Sequence, residues 1–142
     1  MVILQPVNLR WIQGAADDPK DLCAHGDVLF RIGEDVLLDT DDGKDLTVSA
    51  AALYLLRTLS VPHTTAAPVG DHLFPCCGFA MWDVPDQEDV VLCGCPNGED
   101  FEVLHDVDAR VVVRRTNGDP WRIGWPEWRA AVFSFADRVS EF

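Results

Sequence analysis

Four cysteines, Cys76, Cys77, Cys93 and Cys95, fall inside one short segment that runs from His72 to Gly98. Four thiolates are enough to close a tetrahedral zinc site. Phe79–Asp83 and Asp89–Cys93 read as two strands around a Pro85-Asp86-Gln87-Glu88 turn. Pairing Phe79 with Cys93 brings Cys77 near Cys95, with Cys76 alongside. The spacing is not that of a zinc ribbon built from two Cys-x-x-Cys knuckles. Adjacent strand residues also face opposite sides of a sheet, so Cys76 and Cys77 ligate together only where the turn breaks the pleat. His72 or His105 is the alternative fourth ligand. The same residues read equally as buried reduced thiols, which pack as small hydrophobes, or as a Cys77–Cys95 disulfide. The odd total of 5 cysteines, beside an N-terminal stretch without the features of a secretion signal, predicts reduced thiols or a metal in place of a disulfide framework.

Signals for catalysis are thin. Cys23-Ala24-His25 is the single close Cys/His pair; such a pair activates a thiolate only with a third, orienting group, and no residue nearby supplies one. The 4 serines stand at 49, 60, 134 and 140, none next to a histidine. No phosphate-binding glycine loop, Gly-x-Ser-x-Gly elbow or His-Glu-x-x-His pair occurs. The chain therefore reads as a binding protein, not an enzyme.

Charge points the same way. The 142 residues carry 24 acids against 11 bases, a net −13. That field repels nucleic acid and anionic membranes and speeds encounters with a basic protein. Between Asp83 and Asp108 stand 9 acids and no lysine or arginine, whereas from Arg110 onward there are 6 bases and 4 acids. A one-signed cluster tolerates self-repulsion that mixed charges would relieve, and a basic partner offsets it. Asp83, Asp86, Glu88, Asp89, Glu99, Asp100 and Glu102 are the candidate contact acids. Trp82, beside Asp83 and near the hairpin tip, is the candidate aromatic anchor or, equally, a core residue. Asp39-Thr-Asp41-Asp42-Gly43 lacks the closing glutamate of a calcium loop and reads as a hairpin turn.

The elements that must position these residues are written in two similar stretches. Val28-Leu-Phe-Arg-Ile, a Gly-Glu-Asp turn, Val36-Leu-Leu and an Asp42-Gly43 turn lead to a helix from about 49 to 60. Phe101-Glu-Val-Leu-His, Arg110-Val-Val-Val-Arg, an Asn117-Gly118 turn and Trp121-Arg-Ile-Gly lead to a helix over 126–141. Asn-Gly and Asp-Gly between apolar runs signal hairpins, because both turn positions favour positive φ. Each half thus reads as strand–strand–strand–helix, over 27–60 and 101–141, with the cysteine-rich hairpin 72–98 between them. The halves are either an internal repeat or two ordinary hairpins that share turn chemistry. In the second helix Pro126 suits the first turn and Glu127 the dipole; Trp128, Val132, Phe135, Val139 and Phe142 form one apolar stripe. The first helix presents Ala52, Leu56 and Leu59, widened by Leu53 and Leu55. Residues 61–72, with two prolines and a glycine, read as a loop that exposes His63 and His72. Length and a 48% hydrophobic content fit a single domain over 1–142. The expected fold is α+β: an antiparallel sheet of hairpins with two helices packed on it. No apolar run is long enough to span a bilayer, and the opening MVILQPVNLRW has neither a basic start nor a cleavage site; the expected location is cytoplasmic.

Cys76-Cys77-Gly78, Gly94-Cys95-Pro96-Asn97-Gly98 and Glu127-Trp128-Arg-Ala-Ala-Val-Phe-Ser-Phe-Ala-Asp137 resemble small bacterial immunity proteins of polymorphic and contact-dependent toxin systems. The likeness covers the last half of the chain. It implies a cytoplasmic inhibitor that sits on a cognate toxin, and an acidic surface suits a basic, nuclease-type one. Charge then raises the association rate while buried aromatic anchors hold the complex. The alternative is a zinc-stabilised regulatory or adaptor module that binds a cellular protein.

Overall fold

The computed structural model describes residues 1–11, 23–40, 45–64, 72–76, 85, 86, 88 and 98–142, and the backbone of 80–83 and 90–93. Strand β1 (Val2–Arg10) pairs antiparallel with β2 (His25–Ile32), from Val2↔Ile32 to Arg10↔His25, with an irregularity after Val7 where Asn8 adopts φ 53°. Pro6 lies in β1 without breaking the sheet because β1 is an edge strand among the described residues. The Gly33-Glu34 turn, with Gly33 at φ 60°, leads into β3 (Asp35–Leu38) on the other side of β2. The next strand, β4 (Leu46–Thr47), returns to the start of β2 through His25↔Thr47 instead of pairing with β3.

Helix α1 (Val48–Arg57) follows at once. Next comes the hairpin of β5 (Ala80–Asp83) and β6 (Val90–Cys93), then a three-stranded meander of β7 (Glu102–His105), β8 (Arg110–Arg114) and β9 (Trp121–Gly124). Helix α2 (Trp125–Glu141) starts directly at the end of β9. The fold is α+β with antiparallel sheets, as the hairpin signals predict. The order strand–strand–strand–helix recurs in both halves. The pairing does not: the second half is a meander, whereas in the first half both β3 and β4 pair with β2.

Single bridges stitch the sheets together. Leu46 pairs with Cys76, Phe74 with Glu99 and His63 with Val103. Gly98 permits the middle one: a Cβ there would lie 2.6 Å from the Phe74 carbonyl oxygen. The core gathers where these layers meet. Phe30 sits against Phe74, Phe101 and Trp128 with ring centroids 5.9, 5.5 and 6.3 Å away. From α2, Trp128, Val132 and Phe135 are fully buried and Val139 is partly so, which matches the stripe read from the sequence up to Phe142. Phe142 is half exposed and stacks on Trp11 at 5.1 Å.

The face of α1 differs from the one expected. Val48, Ala51, Ala52 and Leu55 are buried, while Leu56 and Leu59 stay at the margin of the core. Val48, Ala51, Ala52 and Leu55 share one face by their three- and four-residue spacing, and the small Ala51 and Ala52 on it let the helix approach its neighbours closely, so that face wins over the bulkier leucines. Thr58 then joins both helices to β7. Its hydroxyl accepts the Trp128 indole N–H at 3.1 Å and donates to the Leu55 carbonyl at 2.5 Å, and its carbonyl accepts from His105 Nε2 at 2.6 Å.

Candidate functional site

The acids singled out by the sequence fall into two groups. Asp86 and Glu88 are exposed in the β5–β6 connection, Asp86 with φ 65°; neither has an ion pair among the described residues. Trp82 and Asp83 are the last two residues of β5, paired with Val91 and Val90. Asp89 lies outside the described residues.

The second group, Glu99, Asp100 and Glu102, is not a free acidic face. Glu102 pairs with Arg114 across the β7–β8 ladder, where the two residues are register partners. Glu99 meets Arg115 at 3.4 Å. Asp100 accepts from both His63 Nε2 at 2.8 Å and the Leu73 amide at 2.9 Å through one oxygen. Two acids of the base-free segment, Glu99 and Glu102, are therefore paired with arginines that follow it in sequence and neighbour it in space. His63, expected on an exposed loop, keeps only 11% of its side-chain surface, because Asp100 and the bridge to Val103 draw it in. Arg115 is also committed beyond its own sheet: it donates to the Leu37 carbonyl at 2.7 Å and its guanidinium lies 4.5 Å from the Phe101 ring centroid. Trp121 donates to Asp35 at 2.8 Å, a second tie between the halves.

The cysteine hairpin forms with a register one residue from that expected. Ala80, not Phe79, pairs with Cys93. The connection from Asp83 to Val90, with Asp86 in the left-handed region, takes up one residue more than the expected turn. A one-residue slip exchanges the two faces of a strand, so the ligand geometry argued from Phe79↔Cys93 does not hold as drawn. Cys76 is disulfide-bonded, where the odd count and the N-terminal stretch predicted reduced thiols; the bridges that close the sheets gather this segment whatever the cysteine total. A disulfide sulfur offers no thiolate to a metal. Cys77 and Cys95 lie outside the described residues. Of the alternative ligands, His105 is engaged by the Thr58 carbonyl and by the Trp125 ring, 5.3 Å away edge-on. Cys23 is buried and His25 is buried beside the β4 pairing, so the Cys23-Ala24-His25 pair belongs to the core.

Sequence reasoning missed a cleft at the junction of the helices. Leu56 of α1, Leu59 and Ser60 of the turn after it, and Trp125, Arg129 and Phe133 from α2 line an open depression of about 360 Å³. It adjoins a second, of about 320 Å³, in which Leu59, Ser60 and Trp125 recur with His105, Asp106, Ala109 and Arg110. Ala109 holds φ 56°, a left-handed conformation rare for alanine, and its carbonyl accepts the Trp125 amide at 3.1 Å, so turn and helix start are locked together. The floor is apolar and the rim carries Arg110 and Arg129, basic residues in a strongly acidic chain. The trace of this cleft in the sequence is the four-residue spacing of Trp125, Arg129 and Phe133, a flank beside the buried stripe.

No family model, no curated protein and no solved structure matches this chain. No helix among the described residues is long and apolar enough to cross a membrane.

Proposed function

We propose that this protein is an acidic binding protein that neutralises a basic protein partner, in the manner of the immunity proteins it resembles in sequence. The observation that carries the reading is how its charges are divided. Arg114 and Arg115 are matched to Glu102 and Glu99 of the same chain. Asp86, Glu88 and Asp108 remain exposed on turns with no ion pair among the described residues. The excess negative charge thus projects from turns, where it acts on an approaching molecule and not on the fold. Exposed charge of one sign steers encounter and is screened within about 8–10 Å at physiological salt. The test is association kinetics with the product of the neighbouring gene over a salt series. Asp86→Lys with Glu88→Lys slows association by about tenfold or more and flattens its salt dependence, with unfolding unchanged. Unchanged rate and salt dependence would reduce the acids to a solubility device and remove the reading.

A further inference from the structure

The outer flank of α2 carries Trp125, Arg129, Phe133 and Asp137 at four-residue intervals, which places them along one ridge of the helix. Phe133 is 41% exposed. The guanidinium of Arg129 lies 5.4 Å from its ring centroid. Arg129 and Asp137 are exposed and take part in no ion pair among the described residues. Ala130 and Ser134, next to the ridge, are exposed and small.

We propose that this face is the contact between two copies of the chain, packed with their α2 helices antiparallel about a two-fold axis at Phe133. Charge favours this pairing. A two-fold contact is self-complementary: if residue i meets residue j of the other copy, j meets i. Arg129 and Asp137 stand four residues to either side of Phe133. An antiparallel partner centred there sets each Arg129 against the other copy's Asp137, twice over. Four residues rise about 6 Å along a helix, so both ion pairs and the ring contact lie within one short crossing. Ala130 and Ser134 let the backbones approach to the roughly 8–10 Å that helix packing needs. The apolar depression lined by Leu56, Leu59, Trp125 and Phe133 borders the ridge, so the opposing Phe133 packs on Phe133 at the edge of that depression. A basic partner does not fit this face, because Arg129 and Arg110 rim the cleft.

Each copy carries −13, so the two repel at long range. Self-association therefore strengthens as added salt screens that repulsion, the opposite of binding to a basic partner. The inference is independent of the proposed function and is separated from it by the sign of the salt effect.

Sedimentation velocity over a concentration series that reaches millimolar, at low and at moderate salt, tests it on the full chain. The expected result is a monomer–dimer equilibrium that shifts toward dimer with salt. Phe133→Asp weakens it by about tenfold or more. Arg129→Asp or Asp137→Arg alone turns two attractive pairs into two repulsive ones and weakens it by about tenfold. The combined swap, Arg129→Asp with Asp137→Arg, restores the dimer. All three positions changed are solvent-facing, and thermal unfolding of each variant reports that the fold is kept. A chain that stays monomeric throughout, or a swap that fails to restore what the single changes lose, overturns the proposal.

Discussion

Thr58→Val removes one oxygen and leaves the side chain's shape nearly intact. In the native fold the Thr58 hydroxyl is the acceptor for the Trp128 indole N–H, 3.1 Å away, and the Trp128 side chain is wholly buried. After the substitution that N–H has no partner and no access to water. Leaving a buried donor unpaired costs about 1–3 kcal/mol. The hydroxyl's own bond to the Leu55 carbonyl is lost as well, but that carbonyl still receives the Thr58 amide at 3.1 Å, so the second loss adds little. The valine methyl that replaces the hydroxyl returns up to about 0.8 kcal/mol of apolar burial. The net expectation is a destabilisation of about 1–2 kcal/mol, a sizeable share of a typical domain's 5–15 kcal/mol. Urea unfolding followed by tryptophan fluorescence reads it as a lower midpoint with the slope unchanged. Trp128→Phe removes the donor at the cost of a cavity. In the double variant the Thr58→Val penalty should shrink, giving a coupling energy of about 1 kcal/mol. A neutral Thr58→Val, or strict additivity in that cycle, would falsify the role given to this hydroxyl in holding α1 to α2.

Two further outcomes follow from the same structure. Gly98→Ala sets a Cβ 2.6 Å from the Phe74 oxygen and 3.0 Å from the Pro75 Cα, so the Phe74–Glu99 bridge must open; the expected cost is about 1–3 kcal/mol, with faster amide exchange at Phe74 and Glu99 as the local marker. Zinc titration before and after reduction decides the four-cysteine reading: about one equivalent per chain in the reduced protein and none in the oxidised one supports a thiolate site, and no binding in either state retires it.

Much of the architecture was legible before any coordinates. The Gly33-Glu34 and Asn117-Gly118 turns, the strands they join and α2 all follow from signals that act within a few residues: turn dihedrals, alternation along a strand, and the 3.6-residue period of a helix. Asn117 takes φ 60°, but Gly118 does not join it at positive φ; the turn closes instead through the Gly118 amide on the Arg115 carbonyl at 2.9 Å, within a longer connection between β8 and β9. The buried stripe of Trp128, Val132 and Phe135 was likewise set by spacing alone.

The candidate surfaces were less legible. Counting acids from Asp83 to Asp108 found the excess charge but not its fate, because Arg114 and Arg115 reach Glu102 and Glu99 only once β8 lies beside β7 and its approach. His63 read as a loop residue until Asp100, 37 positions away, accepted its proton donor. The α1 leucines read as core by hydropathy, yet Leu56 and Leu59 line the cleft because the alanine face packs closer.

What the sequence by itself determined, then, is every element whose stabilising contacts are local: the hairpins, the two helices, and an acid excess that belongs to composition. Only the tertiary structure decided which strand β4 joins, which register closes the cysteine hairpin, which acids are left uncompensated, and where an apolar cleft opens between α1 and α2. Those outcomes depend on contacts that no single turn or helical period spans, from the strand pairs of β5 and β6 to the meeting of α1 and α2. Their energy is realised only when the whole core closes, so no short-range pattern along the chain encodes them.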